Sequence, residues 1–238
     1  MLNAQKIAQY LHTEKLGRCP ELFDVLKGST QDEARRLLSA ADGGSAEVFV
    51  ATDNQQSGRG RYGRTWICHA GEGLAMSIGM LRPSGSVVPE NTLVTGLAVR
   101  RALVKLAPGL ETGLRLKWPN DLLINGRKVC GILVQLFPAD TQAAGGEESE
   151  PAPARDAAAP DALVIGIGIN VGQLQFPGHE ELGWYPTSLA LEGVDISMEE
   201  IIAAVCNELE PMLDTLWKEG FAPFEEEYNR VLTGAKGD

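Results

Sequence analysis

A glycine- and arginine-rich segment, Asn54–Trp66, holds side chains suited to binding an anionic ligand. It places three arginines, Arg59, Arg61 and Arg64, among three glycines. Glycine lets a backbone approach a ligand closely, and arginine donates forked hydrogen bonds to carboxylate and phosphate oxygens. The segment lacks the GKS or GKT sequence that ends a P-loop and the GxGxxG motif of a dinucleotide-binding site. A nucleotide or carboxylate site is one interpretation, and a solvated turn is the other.

A second segment, Lys117-Trp118-Pro119-Asn120-Asp121, breaks one predicted strand from the next. Pro119 forces the residue before it into an extended conformation. Asn120 and Asp121 then offer an amide and a carboxylate at the break, and the carboxylate could bind Mg²⁺. The alternative is an Asx-type turn, which these residue types form routinely.

Two further strands carry candidate site residues. Lys128 opens an apolar strand and is expected to face the same way as Cys130, although a solvated strand end also fits. Gly166 and Gly168 alternate within another apolar strand that ends at Asn170. Glycines inside a strand usually mark a close approach to the backbone. A packed helix or a flat ligand could approach there.

The hydrophobic pattern predicts the elements that must position these segments. Two capping boxes, Thr30 with Glu33 and Ser197 with Glu200, indicate helix starts, and Asn125-Gly126 indicates a hairpin. Helices are expected over 3–11, 31–41, 91–106, 197–216 and 223–232, and strands over 22–26, 48–51, 74–81, 114–117, 122–124, 128–136 and 162–169. Residues 54–65 are expected to form a loop. This order fits an α+β fold with helices packed on a mixed or antiparallel sheet.

Length and composition indicate one domain over residues 1–238. Of the 238 residues, 44% are apolar and 22% charged, which is close to the average for globular proteins. Residues 138–160 are rich in proline, alanine and acidic side chains, so we expect a disordered insertion in a hairpin loop. A long surface loop costs little closure entropy.

Charge and cysteine usage exclude several classes of function. The formal net charge of −11 disfavours nucleic acid and anionic membranes as partners. The absence of a long apolar run and of a signal-peptide pattern predicts a cytoplasmic protein. The four cysteines form no CxxC motif, so we expect reduced, mostly buried thiols. The three histidines lack metal-ligand spacing.

Together, five motifs resemble the catalytic domain of the biotin protein ligase family, also called biotin–[acetyl-CoA-carboxylase] ligases. They are Ser29-Thr30, the GRGRxGRxW core at 58–66, KWPND at 117–121, RKxxGIL at 127–133 and GxGxN at 166–170. The resemblance covers roughly residues 20–232. It implies the class II synthetase-like biotin/lipoate ligase fold. It also implies an enzyme that adenylates biotin with ATP and Mg²⁺ and transfers it to a lysine of a biotin carboxyl carrier protein.

The resemblance also implies the site residues. Catalytic roles would fall to Lys128, Arg59 and Arg61. The biotin site would comprise Ser29, Thr30, Gln55, Gln56, Gly58, Arg59, Gly60, Arg61, Lys128, Gly131, Gly166 and Gly168. The ATP site would comprise Arg61, Arg64, Trp66, Asn120, Asp121, Lys128 and Asn170, with Asp121 as the metal ligand. Trp66 would stack on adenine, and a core tryptophan fits the sequence equally well.

Two competing functions stay open at this point. One is a lipoate or octanoate ligase or transferase of the same fold, which would need a slot for a linear acyl chain. The other is a non-catalytic relative that binds biotin or the carrier. Members of the family usually carry a small β-barrel after the catalytic part, and some carry a helix-turn-helix before it. The sequence shows neither, and strand edges in this fold could pair into a homodimer.

Overall fold

The computed structural model describes residues 1–40, 47–82, 88–138, 161–176 and 185–233. Its helices are α1 (Ala4–Tyr10), α2 (Thr30–Ala40), α3 (Val88–Leu106), α4 (Met198–Glu219) and α5 (Glu225–Val231). Its strands are β1 (Pro20–Phe23), β2 (Glu47–Thr52), β3 (Gln55–Arg59), β4 (Thr65–Cys68), β5 (Gly73–Arg82), β6 (Leu114–Lys117), β7 (Asp121–Ile124), β8 (Arg127–Pro138), β9 (Asp161–Asn170) and β10 (Leu232–Thr233).

Eight of these strands form one mixed sheet in the order β1-β2-β5-β9-β8-β7-β6-β10. Neighbours run antiparallel except for two parallel pairs at the edges, β1 with β2 and β6 with β10. Helices α3 and α4 pack on each other, and α3 also packs on β6, β7 and β8. The α+β class with a mixed sheet is therefore confirmed.

The two faces of the central strand β9 explain its alternating glycines. The odd-numbered residues Leu163, Ile165, Ile167 and Ile169 are buried in the main apolar core. On the other face, Val164 packs in a smaller cluster with Ala34 of α2 and Val50 of β2. Gly166 and Gly168 continue that second face. Both faces of β9 are therefore packed. On the α2 side, the missing side chains of its glycines leave space for other groups.

Helix α2 begins one residue earlier than the predicted capping box requires. The backbone N–H of Gln31 donates to the Ser29 hydroxyl oxygen at 3.1 Å, so Ser29 takes the N-cap position. The prediction that Thr30 caps this helix is therefore wrong, since Thr30 already belongs to the first turn. The second predicted capping box, Ser197 with Glu200, is confirmed at the start of α4.

Residues 54–65 are a two-stranded hairpin and not the predicted loop. β3 and β4 pair antiparallel, with Gly58 opposite Trp66 and Arg59 opposite Thr65. A register shift between Gln55 and Gly58 interrupts the pairing. Because β3 is polar and bulged, and β4 has only four residues, the pair lacks the apolar alternation from which strands are predicted.

A bulge in β8 reverses the predicted orientation of Lys128. Leu122 of β7 pairs with Cys130, whereas the next residue, Leu123, pairs with Lys128 and leaves Val129 as the extra residue. A bulge changes which face the following side chains occupy. Lys128 consequently lies on the same face as Gly131, while Cys130 is buried in the main core. The prediction that Lys128 and Cys130 face the same way is wrong.

Strands β8 and β9 pair as far as Pro138 and Asp161, so residues 139–160 join two adjacent antiparallel strands. The predicted disorder of the 138–160 insertion lies outside the described residues. Within the described ranges, no helix is long and apolar enough to cross a membrane. Three of the four free cysteines are buried, as predicted, and burial raises the pKa of the Cys68 and Cys206 thiols to about 12.

Candidate functional site

A cavity of about 830 Å³ opens on the α2 side of the sheet, under the β3–β4 hairpin. It brings together most residues of the predicted site. Those that line it are Ser29, Thr30, Gln55, Arg59, Gly60, Arg61, Arg64, Trp66, Asn120, Asp121, Lys128, Gly131, Gly166, Gly168 and Asn170. Gln56 and Gly58 are not among its lining residues. Gln56 is exposed, and Gly58 packs within the hairpin, where a Cβ atom would lie 2.1 Å from the Trp66 carbonyl oxygen.

One end of the cavity is a cluster of buried polar groups at the N-terminus of α2. The Thr30 backbone N–H donates to Gln55 Oε1 at 2.8 Å. The Ser77 hydroxyl of β5 lies 2.8 Å from Thr30 Oγ1 and 3.1 Å from Gln31 Oε1. Each of these side chains is at most 4% exposed. The cluster offers hydrogen bonds in a site from which water is largely excluded.

Gln31 and Ser77 were missed by the sequence analysis, although both line the cavity. A signal for Ser77 was present, since it is the lone polar residue in the apolar run 74–81. A hydroxyl at such a position requires a buried partner. Gln31 carried no comparable signal, because a polar residue in the first turn of a helix is ordinary.

The floor of the cavity is formed where side chains lie against glycines. A Cβ atom on Gly168 would come within 2.3 Å of Trp66 Cε2, and one on Gly131 within 3.1 Å of Trp66 Cζ3. A Cβ atom on Gly166 would meet Gln31 Oε1 at 2.6 Å. The space above these glycines is thus occupied by the chain's own indole and amide groups. From the sequence alone, a packed helix or a flat ligand was expected in that space.

Lys128 supplies a cation to the centre of the cavity. Its ammonium nitrogen forms an ion pair with Asp121 Oδ1 at 2.7 Å and lies 5.7 Å from the centre of the Trp66 ring. The Lys128 side chain is only 14% exposed. Its backbone is fixed on both sides, because its N–H donates to the Tyr185 carbonyl and its carbonyl accepts from the Thr187 N–H, each at 2.8 Å. The ammonium group is therefore held in one position, and most of the side chain is shielded from solvent.

The hairpin arginines approach the cavity from above with different partners. Arg61 donates to Asn120 Oδ1 at 3.4 Å, and Asn120 is itself anchored because its side-chain amide donates to the Ile132 carbonyl at 2.9 Å. Arg59 forms an exposed ion pair with Asp32 of α2 at 3.2 Å. Arg64 is exposed. Positive charge is therefore concentrated at this site in a chain whose net charge is −11.

Asn170 uses its amide to join neighbouring segments. Its Nδ2 donates to the Thr187 carbonyl at 2.9 Å and to the Lys128 carbonyl at 3.4 Å. Asn170 thus supports the backbone that carries Lys128, in addition to lining the cavity.

A divalent cation would find one carboxylate among the predicted site residues, that of Asp121. Within the described ranges, no group of three histidine, cysteine or acidic residues could hold a metal ion. Mg²⁺ commonly binds proteins through one or two carboxylates, with substrate phosphates and water as the remaining ligands. The donor set therefore fits a metal that arrives with a nucleotide and does not fit a metal caged by the protein alone.

The chain belongs to the Biotin/lipoate A/B protein ligase family. The family's sequence profile matches residues 29–145. A biotin–[acetyl-CoA-carboxylase] ligase of Paracoccus denitrificans is 36% identical over 202 residues, which cover 82% of this chain and 73% of that protein.

More distant relatives extend the match along the chain. The bifunctional ligase/repressor BirA of Bacillus subtilis is 33% identical over 227 residues. That alignment covers 94% of this chain, but the chain spans only 62% of the relative's length. Among solved structures, a biotin protein ligase from Aquifex aeolicus in complex with biotin and ATP superposes with a TM-score of 0.68. It is 25% identical, with 92% of this chain and 79% of that chain covered.

Proposed function

We propose that this chain adenylates biotin with ATP and then transfers the biotinyl group to a lysine of a biotin carboxyl carrier protein. The proposal rests on one cavity whose two ends differ in their chemistry. A buried hydrogen-bonding cluster at Ser29 and Thr30 fits a cyclic urea, and a partly buried cation at Lys128 fits a carboxylate and phosphate. The Aquifex structure is a complex with biotin and ATP, and the Paracoccus relative is named a biotin–[acetyl-CoA-carboxylase] ligase.

The first reaction brings two anions together. A biotin carboxylate oxygen attacks the α-phosphorus of ATP, an oxygen–phosphorus bond forms, and pyrophosphate leaves with the electron pair of the broken bond. Fixed cations that neutralise the charge building up in this step stabilise its transition state. Lys128 and Arg61, which line the cavity, would supply this charge, together with Arg59 and Arg64 of the same lining.

The second reaction needs no nucleophile from the chain. The amine of the carrier lysine attacks the carbonyl carbon of biotinyl-adenylate, an amide bond forms, and AMP leaves. Lys128 can hold the departing phosphate because Asp121 orients its ammonium group through the 2.7 Å ion pair. Mg²⁺, held by Asp121 and the nucleotide, would supply further positive charge to the phosphates.

The partner is the carrier protein, whose lysine must enter through the cavity mouth beneath the β3–β4 hairpin. The cytoplasmic location stays a prediction from the sequence. A homodimer stays a prediction from the sequence, which analytical ultracentrifugation of the purified protein tests.

The proposal is tested by biotin-dependent exchange of pyrophosphate into ATP, with lipoate and octanoate as alternative acids. We expect exchange with biotin alone. Lys128→Ala should lower the exchange rate at least 100-fold, since it removes the fixed cation at the reacting oxygens. Lys105→Ala is the matched control, because Lys105 is an exposed lysine that pairs with Glu208 on the helical face.

Each alternative function gives a different result in the same assay. Exchange with only lipoate or octanoate would move the chain to the sister activity of the family. Biotin binding by calorimetry without exchange would indicate a non-catalytic relative. Full exchange by Lys128→Ala would contradict the role of this lysine, provided that circular dichroism shows a folded variant.

A further inference from the structure

We propose that Gln31 and Ser77 fix the hydroxyl of Thr30 as a hydrogen-bond acceptor, so that the polar end of the cavity selects a ligand with a ring N–H at this position. This inference rests on the proposed function and names residues that decide which acid the site accepts. Gln31 and Ser77 would act as positioning residues, behind the Thr30 side chain that meets the ligand.

The orientation of the Gln31 amide follows from its neighbours. Its nitrogen lies 3.1 Å from the Leu133 carbonyl oxygen, 3.1 Å from Gln135 Oε1 and 3.4 Å from the Val164 carbonyl oxygen. Backbone carbonyls can only accept hydrogen bonds. The NH₂ group must therefore face these oxygens, and the Gln31 carbonyl oxygen must face Ser77.

That orientation determines the proton of Ser77. A carbonyl oxygen cannot donate, so the 3.1 Å contact requires the Ser77 hydroxyl to donate to Gln31 Oε1. Within the described ranges, Ser77 is the sole donor within hydrogen-bonding distance of this oxygen. Turning the Ser77 proton toward Thr30 instead would leave the buried Gln31 carbonyl oxygen without a hydrogen-bond donor, which is unfavourable.

The proton of Thr30 is determined in turn. A hydroxyl has one proton, and that of Ser77 is already used, so the 2.8 Å contact between the two hydroxyls requires Thr30 to donate to Ser77. Thr30 Oγ1 then presents only lone pairs to the cavity, and it can accept but not donate. Thr30 is 4% exposed and Ser77 is fully buried, so water cannot readily reverse this order.

Ser29, beside Thr30, has the opposite character. Its oxygen accepts the Gln31 N–H, and within the described residues its own proton has no acceptor. The site therefore pairs a free donor at Ser29 with an enforced acceptor at Thr30. A cyclic urea carries the matching pair, a carbonyl oxygen next to an N–H. A linear acyl chain carries neither and would leave both buried groups unpaired.

The test uses two isosteres of biotin in which one or the other ureido N–H is replaced by a ring oxygen. Calorimetry gives the dissociation constant of each isostere relative to biotin. We expect the wild type to bind the isostere that places its oxygen against Thr30 at least tenfold more weakly than biotin, because two acceptors then face each other.

Gln31→Met and Ser77→Ala should each reduce this ratio to about threefold or less. Either change frees a proton, so that Thr30 can turn its own hydrogen toward the ring oxygen. Gln135→Met is the matched control and should keep the wild-type ratio, since Gln31 retains its contacts with two backbone carbonyls. A purely structural role would weaken biotin and isostere equally and leave the ratio unchanged.

The outcomes separate this inference from the proposed function. Biotin binding with the same isostere ratio in wild type, Gln31→Met and Ser77→Ala overturns the inference alone. A wild-type ratio near one for both isosteres also overturns it. Failure of the wild type to bind biotin overturns the proposed function, and this inference with it.

Discussion

Gly166 and Gly168 of β9 show how a missing side chain shapes the cavity floor. The Gln31 amide lies against the first and the Trp66 indole against the second. A polar group at one glycine and an aromatic group two residues further along give the floor two chemically distinct parts. The alternation of β-strand side chains places both parts on the cavity side.

Gly168→Ala should displace the indole of Trp66. The added Cβ would lie 2.3 Å from Trp66 Cε2, far below van der Waals contact, and overpacking of this kind costs about 1–3 kcal/mol. We expect a lower melting temperature, altered tryptophan fluorescence and at least tenfold weaker ATP binding. Gly109→Ala is the control, because a Cβ there meets nothing within 4 Å.

The double variant Gly168→Ala, Trp66→Leu separates the clash from other effects of the alanine. Removing the indole should restore most of the melting temperature but not the ATP affinity. A Gly168→Ala protein with wild-type fluorescence and ATP binding would contradict the packing of Trp66 against β9.

At the scale of elements, apolar strands and amphipathic helices were predictable from their periodicity. The α4 helix and the β7–β8 hairpin at Asn125-Gly126 are examples, since capping and turn residues there agree with the apolar pattern. The β3–β4 hairpin was not predictable, because its polar residues and register shift leave no alternation to detect. The bulge at Val129 was equally hidden, although it decides the face on which Lys128 lies.

Most of the candidate site residues could be predicted from sequence motifs. Their hydrogen-bond partners could not, and they are seen only in the structure. Asn120, expected in the ATP site, lines the cavity, and its amide also joins Arg61 to the Ile132 carbonyl. Such contacts connect residues far apart in the sequence. Periodicity and spacing carry no information on them.

Helices α3 and α5 are joined by the ion pair of Arg101 and Glu227, whose exposed fractions are 37% and 19%. Hydrogen bonding to Arg101 lowers the pKa of Glu227 below its ordinary value of 4.5. A lowered folded-state pKa means that the pair stabilises the fold above that ordinary value. The stabilisation is lost as the pH falls through the lowered pKa.

Glu227→Gln should therefore destabilise the protein at pH 7 by about 0.5–1 kcal/mol, a modest value because solvent screens the pair. For a chain of this size, the melting temperature should fall by roughly 1–4 °C. Glu226→Gln on the same helix, an exposed residue, serves as the control. Melting curves recorded from pH 7 down to below pH 4 should show the difference between wild type and Glu227→Gln shrinking. A constant difference would show that the charge of Glu227 is irrelevant.

At the scale of the whole molecule, the charge of the cavity lining is opposite in sign to the net charge of the chain. A net charge of −11 repels a polyanion such as ATP at long range. The cavity lining carries five cationic side chains, those of Arg59, Arg61, Arg64, Lys117 and Lys128, against the two carboxylates of Glu72 and Asp121, so its formal charge is positive. An anionic ligand would therefore be attracted to this cavity although the chain as a whole is acidic.

ATP binding should consequently depend on salt more steeply than biotin binding does. The Debye length falls from about 10 Å at 0.1 M salt to about 3 Å at 1 M, so the exposed arginines are screened most. We expect ATP affinity to fall several-fold between 0.05 and 0.5 M salt at constant Mg²⁺, with a smaller effect for the singly charged biotin.

Arg64→Gln should flatten the slope for ATP, because Arg64 is an exposed cation at the mouth. Arg36→Gln, which removes an exposed cation of α2 paired with Glu33, should leave that slope unchanged. Equal slopes for wild type and Arg64→Gln would show that Arg64 makes no contribution to ATP binding.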